Sequence, residues 1–282
     1  MFTCRSGEVI TGFPYATSRY SSNYNKFKFQ IISDQKTEEA LELVHLSDRL
    51  IDIQSRYTAA HKSTHAERKA AASMVTGSDN PSPVRICVGI PMTSKGTKMK
   101  DVKESPLWTN FFDSFMKSID WRSNRYVFRI YLGLDKKDDL YDTGDAWSEV
   151  REEFRSRAIY RMKEQLMETE EIEEALEKHL TLKLMHFDHL EGSPTQVVSQ
   201  LMLTAYVDNY DYFYQVNDDT IIVTPNWAPK FIETLAGNPS IPNFGVTGPT
   251  DTNNDKIFTH SFVHRTHIEV FGHLFPPSFK NW

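Results

Sequence analysis

The stretch Tyr212–Ile222, YFYQVNDDTII, sets two adjacent carboxylates between two apolar runs. The first run is typical of a buried strand, so Asp218 and Asp219 follow that strand directly. Carboxylates beside a buried strand are costly unless a positive group meets them. A divalent cation that carries a phosphate-bearing ligand supplies such a charge. The stretch therefore predicts a metal and nucleotide site at a strand end.

Strand and helix patterns alternate on both sides of this stretch, from residue 84 to residue 282. The expected strands are Val84–Ile90, Tyr126–Leu134, Leu180–Phe187, Tyr212–Val216 and Phe244–Gly248. Helix starts are indicated by Ser105-Pro106, by Thr224-Pro225 and by Ser193-Pro194-Thr195-Gln196, which has the capping-box pattern. This alternation predicts an α/β fold with a mostly parallel central sheet flanked by helices on both faces.

A long acidic helix is expected over Asp145–His179, between the second and third strands. Its apolar positions slip out of register after Leu166 and resume at Ile172, so we expect a break or two helices. The polar face is most simply a solvated face.

Residues 1–83 have a different pattern from the rest of the chain. Residues 1–25 indicate a loose arm, Lys26–Ser33 one short strand, and residues 37–72 a helix. Gly77–Pro83 has the composition of a linker. We therefore divide the chain into an N-terminal arm with a mainly helical extension, residues 1–83, and a domain over residues 84–282.

Charge and composition exclude several classes of protein. The net charge is −6, and residues 135–179 carry 15 acidic and 8 basic side chains, so the remainder is close to neutral and predicts no nucleic-acid binding. Cys4 and Cys87 support neither a disulfide framework nor a zinc site. No apolar run is long enough to span a bilayer, and no signal peptide is evident. We expect a soluble protein, cytoplasmic or, if a signal or anchor is missing from this sequence, in the secretory-pathway lumen.

Three loops are expected to meet at the carboxyl edge of the sheet. The first follows Ile90 and contains Pro91, Thr93 and Ser94; the second begins at Asp135 and includes Asp138, Asp139 and Asp142. Neither a P-loop nor a G-x-G-x-x-G fingerprint follows any strand. The first two loops fit a solvated turn as well as a ligand site. The third, Asn217-Asp218-Asp219, differs because apolar runs enclose it.

A strand followed by Asn217-Asp218-Asp219 resembles the DxD-type motif of GT-A glycosyltransferases, and the order of elements extends the resemblance over Val84–Trp282. The resemblance implies a Rossmann-like nucleotide-diphospho-sugar transferase fold that uses Mn²⁺ or Mg²⁺. Asn217 stands where the first Asp often stands, so the metal is assigned to Asp219, with Asp218 as a second ligand or directed to the ribose. The implied donor-binding residues are Pro91, Thr93, Ser94, Asp135, Asn217 and Asp218.

The resemblance implies a metal-dependent glycosyltransferase that moves a sugar from a nucleotide-diphosphate donor to a glycan or protein hydroxyl. Candidates for the catalytic base are Asp251, Asp255 and His264. GT-A enzymes usually place an acidic catalytic residue beyond this region, so we expect the domain to be truncated. Two alternatives remain open: a catalytically silent nucleotide-sugar-binding module, and a nucleotidyltransferase of the same fold, which would need a Gly-rich basic loop after the first strand.

The histidines near the C-terminus suggest a metal cluster as a further alternative. Their spacing lacks the H-E-x-x-H pattern, so we expect scattered structural or acceptor-contacting histidines instead. The histidines concerned are His260, His264, His267 and His273.

Overall fold

The computed structural model describes residues 2–3, 83–135, 137–187, 190, 192–238, 241–252 and 258–279. The strand expected over 26–33, the helix over 37–72 and nearly all of the linker lie outside these residues. Strand β1, Phe2–Thr3, pairs antiparallel with β6, Thr250–Asp251.

Five strands form the central sheet, in the spatial order β4-β3-β2-β5-β7. The first four are mutually parallel, and β7 alone runs antiparallel, beside β5. The prediction of a mostly parallel sheet is therefore confirmed. The strand bounds are β2 Val84–Met92, β3 Tyr126–Asp135, β4 Leu180–Phe187, β5 Tyr212–Gln215 and β7 Phe262–His264.

Helices cover both faces of the sheet. A 3₁₀ turn at Val102–Glu104 and a π-helical segment at Leu107–Phe112 lead into α1. The α-helices are α1 Asp113–Ser118, α2 Ala146–Glu164, α3 Thr169–Lys178, α4 Pro194–Val207, α5 Trp227–Ala236 and α6 Arg265–Phe271. The buried side chains of α1, α2, α3 and α5 pack on one face, and those of α4 and α6 pack on the other. Within the described residues, no helix combines the length and apolarity that crossing a bilayer requires.

The break in the acidic helix is confirmed, and it falls between α2 and α3. Leu166 adopts a left-handed conformation with φ of 60°, so the chain leaves the helical path there. The Glu168 side chain then caps α3 reciprocally with Glu171, which satisfies backbone donors at the new helix start.

The strand expected at Phe244–Gly248 is wrong. Asn243 and Gly245 have φ of 64° and 136°, so the chain turns on either side of Phe244 rather than extending. Isolated bridge pairing replaces a strand here, with an antiparallel bridge between Thr247 and Phe262. The fifth strand of the sheet is instead β7, which is not among the five expected strands.

Two local predictions also need correction. The Ser193 side chain makes no capping hydrogen bond; Gln196 instead donates to main-chain carbonyls, including that of Pro277 at 3.0 Å. Pro91 does not end the first strand, because β2 continues to Met92. Pairing with β5 stops at Gly89, so Pro91 lies where β2 has a neighbour on one side only, and its missing N–H is tolerated.

Close packing of α4 on the sheet depends on a glycine in β3. A Cβ added at Gly133 would lie 2.3 Å from Val197 Cγ1 and 3.2 Å from Leu201 Cδ1. Real carbon atoms do not approach so closely, so a larger residue must push the helix away from the strand.

We expect Gly133→Ala to lower the free energy of unfolding by about 1 to 3 kcal/mol, the usual cost of overpacking a dense core. Chemical denaturation measures the change. Gly144→Ala is the matched control, because no atom lies within 4 Å of a Cβ built there. Equal stability of the two variants would contradict this account of the interface.

Candidate functional site

The order of the parallel strands reverses at β2. The chain passes from β2 to β3 and β4 on one side, and it returns to place β5 on the other side of β2. In open α/β sheets, ligands bind in the crevice beyond the carboxyl ends of the strands at such a reversal. The structure therefore brings together the loop after β2, with Thr93 and Ser94, and the loop after β5, with Asp218 and Asp219.

Asn217–Thr220 forms a tight turn beyond β5, which we call the acidic turn. The Thr220 amide donates to the Asn217 carbonyl at 3.3 Å. Asp218 is partly buried and Asp219 is exposed, whereas Thr220 is only 3% exposed. Asn110, in the π-helical segment, donates from Nδ2 to the Asp219 carbonyl at 3.5 Å. The turn is thus held by its main chain, while the Asp219 side chain faces solvent.

Asp218 lies in an electrostatically unfavourable position. Burial and then the neighbouring charge of Asp219 raise its pKa to about 6, and main-chain amides within the turn offset only part of this. A cation beside the pair would lower the pKa of Asp218 again, since a nearby opposite charge favours the ionised form of a carboxyl group. A positive ligand beside the paired acids would therefore be stabilising.

A buried carboxylate, Asp138, joins the loop after β2 to the loop after β3. The Asp138 side chain is only 2% exposed. From the loop after β2, it accepts hydrogen bonds from the Thr93 hydroxyl at 2.9 Å and from the main-chain N–H and hydroxyl of Ser94 at 2.6 and 2.5 Å. From its own loop, it accepts from the main-chain N–H groups of Leu140 and Tyr141, both at 3.0 Å. Burial opposes the charge on Asp138, but the hydrogen bonds, led by that of the Ser94 hydroxyl, outweigh it and lower the pKa.

We call this set of hydrogen bonds to Asp138 the Asp138 clamp. It gives the hydroxyls of Thr93 and Ser94 a structural partner. The family resemblance implies donor binding by Thr93 and Ser94, and in the sequence Asp138 is only one of several acids in its loop. No sequence signal identified the clamp, because its partners are about 45 residues apart. Tyr141, in the second loop, also lies close enough to Asp218 for that charge to add to the effect of burial, which raises the Tyr141 pKa to about 12.

The structure places the candidate bases in different regions. The Asp251 carboxylate accepts a hydrogen bond from the Thr259 hydroxyl at 3.2 Å. His264 pairs with Tyr212 at the opposite end of β5 from the acidic turn, and its side chain caps α6 by accepting from the Thr266 amide. Asp255 and the side chain of Asp135 lie outside the described residues. Of the described candidates, Asp251 is the one that the structure connects to the acidic turn.

This connection runs through His260. Its Nε2 lies 2.9 Å from the Thr220 hydroxyl, and its Nδ1 lies 3.0 Å from the Thr259 hydroxyl. His260 is 3% exposed, and burial lowers its pKa to about 4, although Asp251 and Asp219 act in the opposite sense. The imidazole is therefore neutral at pH 7.

The described residues fit a metal ion that is shared with a ligand. Among them, no three His, Cys, Asp or Glu side chains gather as a ligand set, so a cage made by the protein alone is not supported there. Two carboxylates at a strand end match Mg²⁺ or Mn²⁺ sites in which phosphate oxygens and waters complete the coordination. His267 instead contacts the Leu274 carbonyl from Nε2 at 3.2 Å.

Comparison with known proteins does not assign this chain to a family. No protein-family model matches the chain, and no curated protein sequence matches it significantly.

We expect Asp138→Asn to lower the free energy of unfolding by about 2 to 4 kcal/mol at neutral pH, because a charged acceptor of several hydrogen bonds is lost. The lowered pKa means that Asp138 stabilises the fold at neutral pH and ceases to do so as the pH falls through the folded pKa. The difference between wild type and variant should therefore shrink in acid. Exposed Asp139 is the matched control; an Asp139→Asn variant as unstable as Asp138→Asn would contradict the clamp.

Asp218→Asn should have the opposite effect on stability. A carboxyl whose pKa rises on folding, here to about 6, destabilises the fold increasingly as the pH rises from the unfolded to the folded value. We expect a gain of about 1 to 2 kcal/mol near neutral pH and none near pH 4. Thermal unfolding across this pH range, with Glu152→Gln as an exposed control, measures it. A loss of stability at neutral pH would contradict the desolvation argument.

Proposed function

We propose that residues 84–282 form a GT-A-like catalytic domain and that the protein is a metal-dependent glycosyltransferase. It would transfer a sugar from a nucleotide-diphosphate donor to a hydroxyl of a glycan or protein. The main support is the position of the Asp218–Asp219 pair at the strand reversal, where a diphosphate-bound cation would compensate two crowded negative charges.

In this proposal the exposed Asp219 binds Mn²⁺ or Mg²⁺, and the partly buried Asp218 is a second ligand or contacts the ribose. The metal would serve as a Lewis acid that offsets the charge growing on the departing nucleoside diphosphate. The Asp138 clamp holds the loop of Thr93 and Ser94 at the same edge of the sheet, which suits it to contact the donor. Asp251 is the candidate that would accept the proton of the attacking hydroxyl.

A catalytically silent nucleotide-sugar-binding module is the second candidate. One observation favours it: Asp251 already accepts a hydrogen bond from Thr259, and this reduces its capacity to act as a base. The loop after β2 has a single glycine, Gly96, and no arginine, so it is not the Gly-rich, Arg-bearing loop that a nucleotidyltransferase of this fold would use, which makes that alternative weaker.

We expect the full chain to bind UDP or GDP more tightly with Mn²⁺ than with a chelator, and Asp219→Ala to abolish the Mn²⁺-dependent part of the affinity. Isothermal titration calorimetry measures both. Glu152→Ala, an exposed carboxylate on α2, should behave as wild type. Wild-type affinity in Asp219→Ala would overturn the assignment of the metal ligand.

Hydrolysis of nucleotide sugars separates the two candidate functions. The enzyme should release the sugar from at least one donor in a panel, whereas the binding module should bind without turnover. Absence of any Mn²⁺-dependent nucleotide binding would rule out both.

A further inference from the structure

We propose that His260 is a positioning residue: it fixes the acidic turn through Thr220 and so sets the geometry in which the turn meets a metal-bound diphosphate. The inference rests on the proposed function and deepens it. It also gives Asp251 a defined role, as the last acceptor in a chain of hydrogen bonds that starts at the acidic turn.

The direction of each hydrogen bond follows from counting protons. The Thr259 hydroxyl donates its single hydrogen to the Asp251 carboxylate at 3.2 Å. Thr259 then has no hydrogen left for His260, and the imidazole must donate from Nδ1. In a neutral imidazole the other nitrogen, Nε2, can only accept, so Thr220 donates to it. One tautomer of His260 satisfies the whole chain.

The main chain around His260 is itself fixed. A Cβ added at Gly248 would lie 2.2 Å from the His260 carbonyl oxygen, so the two backbones are in close contact. The main-chain carbonyl of the next residue, Ser261, accepts a hydrogen bond from the main-chain N–H of Gln215 at 2.9 Å. The imidazole is therefore held between the end of β5 and the segment that leads to Asp251.

Thr220 transmits this constraint to the carboxylates. It is the residue whose amide closes the acidic turn, and its hydroxyl is tied to His260 on the other side. Without that tie the turn keeps its internal hydrogen bond and the contact between Asn110 and the Asp219 carbonyl, but it loses its bond to the segment that contains His260. Residues that orient metal ligands in this indirect way typically affect metal affinity by about 10- to 100-fold.

The test uses the full chain with Thr220→Val and His260→Leu, which keep approximate volume and remove the hydrogen bond from either side. We expect each variant to lose about 10-fold or more of its affinity for UDP or GDP in the presence of Mn²⁺, with the metal-free affinity unchanged. Thr220→Ser, which keeps the hydroxyl, should restore most of the affinity. The double variant should be no worse than the poorer single variant, because both remove one interaction.

The chain contains a matched control at the other end of β5. Thr266 is also 3% exposed, and its hydroxyl lies 2.8 Å from a histidine nitrogen, Nδ1 of the partly buried His264. Thr266→Val removes a threonine–histidine bond of the same kind away from the acidic turn. It should lower the melting temperature to a similar extent as Thr220→Val while leaving the Mn²⁺-dependent affinity intact.

Nitrogen NMR of the imidazole tests the arrangement independently of any ligand, since it reports which ring nitrogen carries the proton. A proton on Nδ1 supports the inference, and a proton on Nε2 overturns it. Equal Mn²⁺-dependent affinity in Thr220→Val and wild type would overturn the positioning role alone. If wild type shows no Mn²⁺-dependent binding, the proposed function fails, and the positioning role fails with it.

Discussion

Parallel pairing of β2 with strands on both of its sides is the constraint on which the site depends. Because β3 and β5 run in the same direction as β2, their carboxyl ends open at one edge of the sheet. In open α/β sheets, a reversal of strand order such as the one at β2 marks the place where ligands bind. Asp218 and Asp219 follow β5 at this edge, and the loop held by Asp138 follows β2 at the same edge.

The two acidic positions at this edge show how surroundings decide the role of a carboxylate. Asp138 is almost fully buried, yet hydrogen bonds compensate its charge and lower its pKa. For Asp218, burial and then the neighbouring charge of Asp219 raise the pKa, and main-chain amides within the turn offset only part of this. The compensated acid stabilises the loops. In the proposed function, the uncompensated pair would bind a cation, and its cost to stability is of a kind that is common at functional sites.

Hydrogen bonds connect the acidic turn at this edge of the sheet to the C-terminal part of the chain. Through Thr220, His260 and Thr259, the acidic turn is joined to Asp251, in the segment that pairs with Phe2–Thr3. Asp251, a candidate base, and the turn that carries Asp218 and Asp219, the candidate metal ligands, thus belong to one hydrogen-bond network. Changes at Asp251 are therefore expected to alter the acidic turn as well as any proton transfer.

The sequence alone determined the strand–helix alternation and the position of the paired acids after a buried strand, since hydrophobic period and turn residues are local signals. It predicted β4 with its observed bounds, and it located the break after Leu166. It could not determine the strand order, the antiparallel β7, the Asp138 clamp or the His260 network. Each of these joins residues tens of positions apart, and only the packing of the folded chain decides which distant groups meet and which buried charges are compensated.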